Sequence, residues 1–168
     1  LERTQHTHIG HITSLSRIDE DRFVWLDRFT VRNLELYGTS SDEGVSLLDV
    51  LDKTSSPMGA RMLKRWIAFP LNVVKPIKYR LEIVDFLLKN KDLRHSLTDA
   101  LSIVGDMERI TSKIAVGRVS PRELSQLRTA LNSIGEIHDM LEQCGMQALV
   151  DMSGRINKCS SALRRLTD

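Results

Sequence analysis

The sequence is short of the residue types on which several kinds of function depend. Only two of its 168 residues are cysteines, and no apolar run approaches the roughly 18 to 20 residues that a membrane span needs. No signal-peptide pattern begins the chain, so we expect an intracellular, cytoplasmic protein without a membrane partner. Its 24 basic and 22 acidic residues leave a formal net charge of +2, which gives no strong attraction to nucleic acid.

Motifs that hold phosphates or metal ions are also missing from the sequence. Neither the GxxxxGK(S/T) loop nor GxGxxG occurs, so we do not expect the chain to bind ATP by itself. His6, His8 and His11 lie close together, but no cysteine or carboxylate accompanies them at a spacing typical of zinc sites. Cys159 falls on an apolar stripe, where packing is favoured over thiol chemistry. The sequence therefore predicts no catalytic residue, cofactor or metal ion in this chain.

What the sequence does contain is helical periodicity, which predicts a mainly α fold built as a helical bundle. Short helices are expected over residues 28–37 and from Leu47 to just before Ser55. Three longer helices follow, the last capped by Asp106. Their apolar residues recur at spacings of three and four: Ile77, Leu81, Val84 and Leu88; Leu93, Leu97, Leu101 and Val104; Met107, Ile110 and Ile114.

The beginning of the chain has a different pattern. Residues 11–27 alternate in part between apolar and polar side chains around an Asp-Glu-Asp turn. Such alternation is typical of strands joined by a tight turn. The sequence therefore predicts a small N-terminal β-hairpin.

The last fifty residues predict a long C-terminal antiparallel helix pair. Ser120 and Glu123 have the spacing of a capping box, with Pro121 at the first helical position. Two heptad-spaced stripes follow, separated by a break at Cys144 and Gly145: Leu124, Leu127, Leu131, Ile134, His138 and Leu141; Leu149, Met152, Ile156, Cys159, Leu163 and Leu166. Two helices of about 22 residues each would form a rod roughly 30 Å long.

The segment TSSPMGARMLKRWIAFPL, residues 54–71, predicts a helix with a strongly marked start. Ser56 can cap it, and Pro57 occupies the first turn, where its missing N–H is not needed. Gly59, next to an alanine, would allow another helix to approach closely.

The same helix has two faces. Helical phase places Arg61 and Arg65 on one side and Trp66 on the other. Burial of Trp66 and Phe69 would anchor the helix. We rank three interpretations of the basic face. Exposure to solvent comes first, salt bridges to a neighbouring domain come second, and contact with phosphate comes last.

Three blocks of sequence carry a specific resemblance to a known family. They are RNLEL at residues 32–36, LLDVLDKTSSPMGARMLKRWIAFPL at 47–71 and DMERITSKIAVGRVSPRELSQL at 106–127. In this order, they closely resemble the middle region of the bacterial DNA mismatch repair family MutS. The resemblance implies the helical core, or lever, domain of that family. Because the chain starts with Leu1 rather than Met, we expect it to be a piece of a longer protein.

The resemblance also implies a division of the chain and a role. Residues 1–10 would end a connector helix, residues 11–117 would form the core domain, and residues 118–168 would form the lever helix pair leading toward a clamp. This region would couple mismatched-DNA binding allosterically to an ATPase domain outside the chain, where ATP and Mg would bind. The parent protein would be a homodimer with MutL as a partner.

The chain itself is expected to be non-catalytic. Eight residues are candidates for inter-domain or packing contacts: Asn33, Glu35, Pro57, Gly59, Arg61, Arg65, Trp66 and Arg118. An alternative that fits the periodicities equally well is a free-standing helical adaptor, which would bind protein partners through its C-terminal helix pair.

Overall fold

The computed structural model describes residues 22–41 and 43–167. Within them the chain is mainly helical, and its only β pairing is an isolated antiparallel bridge between Phe23 and Leu71. None of the described helices has both the length and the apolar character that a membrane crossing requires. The described helices are α1 (Arg28–Asn33), α2 (Leu47–Leu51), α3 (Pro57–Ala68), α4 (Val74–Lys89), α5 (Lys91–Val104), α6 (Met107–Ala115), α7 (Pro121–Gln143), α8 (Gln147–Ser153) and α9 (Ser160–Thr167).

Side-chain caps decide where five of these helices begin. Ser56 accepts a hydrogen bond from the backbone N–H of Gly59, as predicted, and Asp106 accepts one from the N–H of Arg109. Asp27 caps α1, while Ser46 and Ser120 form capping boxes with acidic residues in α2 and α7. Each cap satisfies backbone donors that have no partner inside the first helical turn.

Helix α7 lies at the centre of the bundle and packs against α5, α6, α8 and α9. Its buried residues include Leu127, Ala130, Leu131, Ile137 and Leu141. Four of them contribute to two apolar clusters: Ile137 and Leu141 to one shared with α5 and α8, and Leu127 and Leu131 to one shared with α6. The core of the described chain is therefore arranged around α7.

The second helix of the predicted C-terminal pair is not continuous, so that prediction is wrong in this respect. Helix α8 ends at Ser153, and α9 begins only at Ser160. Between them the Asn157 side chain accepts a hydrogen bond from the N–H of Cys159 at 2.8 Å, and Cys159 has a φ of 48°. Gly154 and Asn157 favour a turn here, and their local chemistry overrides the heptad stripe. Both short helices still pack on α7.

Helix α4 packs through a different face from the one that its periodicity predicts. Leu81, Val84 and Leu88 are 60%, 52% and 57% exposed. The residues that pack against the core are instead Ile83, Phe86 and Leu87. Because α4 carries apolar residues on both sides, spacing alone does not determine which side faces α5 and α8.

The predicted hairpin over residues 11–27 lies largely outside the described residues. The described part, residues 22–27, does not support it. Val24 donates its N–H to the carbonyl of Pro70 at 2.7 Å, and Asn72 donates to the carbonyl of Arg22 at 3.2 Å. This segment therefore pairs with the chain that follows α3.

Two neighbouring leucines of α4 test which of its faces is packed. We expect Leu87→Ala to lower the free energy of unfolding by about 2 kcal/mol, since Leu87 contacts the core. Leu88→Ala is the matched control and should cost less than about 0.5 kcal/mol, because an exposed side chain gives up little buried surface. Urea unfolding of the two variants measures both values. Equal losses would show that the packed face of α4 is wrongly assigned.

Candidate coupling site between helices

An arginine on α3 binds two carboxylates at the start of α6. The Arg61 guanidinium donates to both carboxylate oxygens of Asp106, at 3.0 and 2.7 Å. Its Nε also donates to Glu108 at 3.0 Å, and a terminal nitrogen donates to the same oxygen at 2.5 Å. The planar guanidinium matches this arrangement, because its donors form a fixed fork. Arg61 therefore fixes the position of α3 relative to α6.

The cluster formed by Arg61, Asp106 and Glu108 keeps the carboxylate that caps α6 ionised. Hydrogen bonds from Arg61 hold the pKa of Asp106 below its ordinary value, with a smaller contribution from the N–H of Arg109. The pKa of Arg61 is raised in turn by its bonds to Asp106 and Glu108. Its side chain remains 48% exposed, so water screens the attraction. The cluster consequently determines orientation more than it adds stability.

A second ion pair continues the connection from α6 to α7. The Lys113 ammonium near the end of α6 pairs with the carboxylate of Glu123 in the first turn of α7. This contact is the largest cause that lowers the pKa of Glu123 to about 2, followed by hydrogen bonds from Ser120. Helix α6 is therefore held by ion pairs at both of its ends.

The segment between α1 and α2 attaches to α3 through Tyr37. The Tyr37 hydroxyl donates to the carbonyl of Lys64 at 2.9 Å, and the Lys64 ammonium lies 5.4 Å from the centroid of the Tyr37 ring. Glu35, one of the predicted site residues, has a φ of 49° and accepts a hydrogen bond from the N–H of Ser40 at 2.9 Å. The Glu35 carbonyl also accepts from the N–H of Leu47 at 3.0 Å. Glu35 therefore closes the loop that leads to α2.

Arg65 and Trp66 line the same cleft beside α3, so the prediction that they lie on opposite faces is wrong. The guanidinium of Arg80, on α4, lies 3.8 Å from the centroid of a ring of Trp66. Trp66 is 44% exposed, so the expectation that it would be buried is wrong. The helix is anchored here by stacking against Arg80, not by enclosing the indole.

The remaining predicted residues have local roles or exposed positions. Pro57 and Gly59 belong to the cap of α3, where a Cβ on Gly59 would lie 3.3 Å from both Thr54 and Ser56. The close approach expected of Gly59 is therefore to its own capping turn. Asn33 is exposed at the end of α1, and Arg118 is exposed in the loop after α6.

One group among the described residues has donor atoms suited to a metal ion. The ligand atoms of His138, Asp139 and Glu142, on α7, lie within 4.8 Å of one another. Lys158 donates to Asp139 at 2.5 Å, and this bond is the largest cause that lowers the pKa of Asp139. The Asp139 carboxylate thus forms an ion pair with Lys158, in the segment before α9. The histidines at positions 6, 8 and 11 lie outside the described residues.

Sequence reasoning missed the residues that complete these contacts. Asp106 was identified as a cap, but neither it nor Glu108 was connected with Arg61, which lies 45 and 47 residues away in sequence. Arg80 and Tyr37 were not singled out at all. No local pattern reports such contacts, because the helix dipole already favours acidic residues at the start of a helix without any basic partner.

Replacing Arg61 tests whether its fork makes even a small contribution to the stability of the contact between α3 and α6. We expect Arg61→Gln to lower the thermal unfolding midpoint and Arg61→Lys to lower it by less, because lysine keeps the charge but not the fork. The deficit should shrink in about 1 M salt, where the Debye length is about 3 Å. Differential scanning calorimetry measures the midpoints. Arg122→Gln, at an exposed position on α7, is the control, and an Arg61→Gln midpoint equal to that of this control would contradict the assignment.

The pair between Lys113 and Glu123 predicts a pH dependence of stability. The folded-state pKa of Glu123 is about 2, below its ordinary 4.5, so the contribution is complete above pH 4.5. It is lost as the pH falls from 4.5 towards about 2, because the unfolded chain then binds the proton more readily. Urea unfolding between these limits should show a shallower pH dependence for Glu123→Gln than for the unmodified chain. Parallel pH profiles would contradict this role for Glu123.

Comparison with known proteins places these helices in a family. Residues 29–167 match the family described as MutS domain III. Three relatives carry the name DNA mismatch repair protein MutS. The chain is 56% identical to the Parabacteroides distasonis protein over 95% of its own length, 51% identical to that of Bacteroides fragilis over 99% and 45% identical to that of Cytophaga hutchinsonii over 99%.

The chain spans 18% to 19% of the length of these curated relatives. The family match covers α1 except its first residue, Arg28, and all of α2 to α9, and it includes all eight candidate contact residues. The arginine-linked helices described above therefore lie within the matched region. The chain belongs to the MutS family, in which residues 29–167 correspond to domain III.

Proposed function

We propose that this chain is the core or lever region of a larger mismatch repair protein, and that it couples mismatched-DNA binding to ATP hydrolysis. The observation that carries the proposal is the line of contacts from α3 through α6 to α7, formed by Arg61 with Asp106 and by Lys113 with Glu123. The relatives' name supplies the repair context. That name favours the lever over a free-standing helical adaptor.

The physical basis is that packed helices move as bodies. Helix α7 has 23 residues, which correspond to about 34 Å at 1.5 Å per residue. A displacement of α3 would be transmitted by Arg61 to α6 and then to one end of α7. Two sites are coupled when both bias the equilibrium between arrangements of such an element.

The chemistry of the larger protein is assigned outside this chain. ATP and Mg would bind in another domain, and mismatched double-stranded DNA would be held by other domains of a homodimer that works with MutL. The domain division follows the resemblance: a connector end at residues 1–10, a core at 11–117 and a lever at 118–168. The chain itself would be non-catalytic and cytoplasmic. The absence of a phosphate-binding motif from the sequence supports the non-catalytic assignment.

Charge reversal and charge exchange in the full-length protein test this role. We expect Arg61→Glu to weaken the stimulation of ATPase activity by mismatched DNA and to slow ATP-dependent release from DNA. Combining it with Glu108→Arg restores an opposite-charge pair while keeping the Asp106 cap, and should recover part of the coupling. Steady-state ATPase assays and fluorescence anisotropy of labelled DNA measure the two effects.

Controls separate coupling from folding. The ATPase rate without DNA and the affinity for mismatched DNA without nucleotide should stay near those of the unmodified protein. Arg122→Glu, on the exposed surface of α7, should leave all four measurements unchanged. If Arg61→Glu leaves ATP-dependent release unaltered, the coupling role of this ion pair is wrong. The 168-residue chain alone should show neither ATPase activity nor a gel shift with DNA.

A further inference from the structure

A cleft beside α3 combines aromatic walls with two guanidinium groups. It forms where the segment before α1 and the helices α3 and α4 meet, and it encloses about 220 Å³. Phe23 and Phe69 meet edge to face, with ring centroids 6.0 Å apart. The cleft is lined by Phe23, Met62, Arg65, Trp66, Phe69 and Arg80.

The guanidinium groups of Arg65 on α3 and Arg80 on α4 differ from that of Arg61 in their partners. Arg61 pairs with two carboxylates, whereas the ion pairs among the described residues include neither Arg65 nor Arg80. The Arg80 guanidinium also lies over a ring of Trp66, with its central carbon 3.8 Å from the ring centroid. An acidic group entering the cleft would therefore meet two guanidinium groups, of which that of Arg80 is held over the indole ring.

The dimensions of the cleft favour one anchoring side chain over a whole small molecule. Pockets for drug-sized ligands usually hold roughly 300 to 1,000 Å³, and this cleft holds about 220 Å³. Single aromatic or large aliphatic side chains commonly anchor a protein partner in such a space. A stacked nucleic-acid base fits less well, since Arg80 already covers one face of Trp66 and the two phenylalanine rings lie at 68° to each other.

We propose that this cleft binds an acidic polypeptide segment, which inserts one large apolar side chain among the aromatic rings and places flanking carboxylates on Arg65 and Arg80. Charge complementarity supports this occupant, because both cations lie at the wall of an apolar cleft. The site is formed by side chains of this chain alone, so it does not depend on the lever role proposed above.

Trp66 provides a direct signal for binding. The sequence has only two tryptophans, so Trp25→Phe leaves Trp66 as the single indole reporter. We would titrate this variant of the 168-residue chain with the capped peptide Glu-Asp-Leu-Phe-Asp-Glu and follow Trp66 fluorescence. Two further probes are the neutral peptide Gln-Asn-Leu-Phe-Asn-Gln and a six-nucleotide oligothymidylate.

Substitution of either arginine should weaken binding of the acidic peptide specifically. We expect Arg65→Gln and Arg80→Gln each to raise its Kd by about tenfold, which corresponds to one charge-assisted hydrogen bond in a partly exposed site. Arg65→Lys should raise the Kd by less than Arg65→Gln does. Arg122→Gln, which lies outside the cleft, should leave the Kd unchanged. Circular dichroism of each variant confirms that the helices are retained.

The outcomes decide the proposal in either direction. Tighter binding of the acidic peptide than of its neutral counterpart, together with dependence on Arg65 and Arg80, supports it. Equal affinity for the two peptides overturns it, as does a Kd that is the same in Arg65→Gln and Arg122→Gln. Arginine-dependent binding of the oligothymidylate without binding of the acidic peptide would show that the partner class is wrong.

Discussion

The structure depends first on the burial of α7 among α5, α6, α8 and α9. Small residues allow α5 to lie close to it: Ser133 donates a hydrogen bond to the carbonyl of Ala100 at 2.8 Å, in a buried position. The neighbouring Ala130 is 1% exposed. Since a buried hydroxyl without a partner is costly, this bond also fixes the register of the two helices.

Polar side chains contribute most of the specific contacts that attach α3 to its neighbours. Helix α3 packs one apolar side chain, Met58, against the core, and it is also held by Arg61 on α6, by Arg80 on Trp66 and by Tyr37 on its backbone. Such contacts are directional, so they determine the orientation of α3 relative to its neighbours. They are also largely exposed, so each contributes little stability. The core and α3 are thus held by different kinds of interaction.

This difference explains which parts of the fold the sequence could predict. Caps such as Ser56 and Asp106 act on the N–H three residues away, so they could be read locally. The packed face of α4 and the break after Ser153 depend on neighbouring helices and on competition between a stripe and a turn. Arg61 was singled out from its helical face, but its partners were not, because 45 residues separate it from Asp106. The sequence therefore predicted individual residues of the site but not the contacts between them.

The same difference bears on where movement costs least. Separating α5 from α7 would expose apolar residues of both helices and leave the Ser133 hydroxyl without its partner, which is expensive. A displacement of α3 that keeps the Arg61 ion pairs would instead break the half-exposed contact of Tyr37, whose hydrogen bond water can replace, and uncover Met58. Segments that move are drawn from the least stable parts of a structure. Helix α3 therefore meets the physical requirement for the moving element, while α7 meets that for the rigid one.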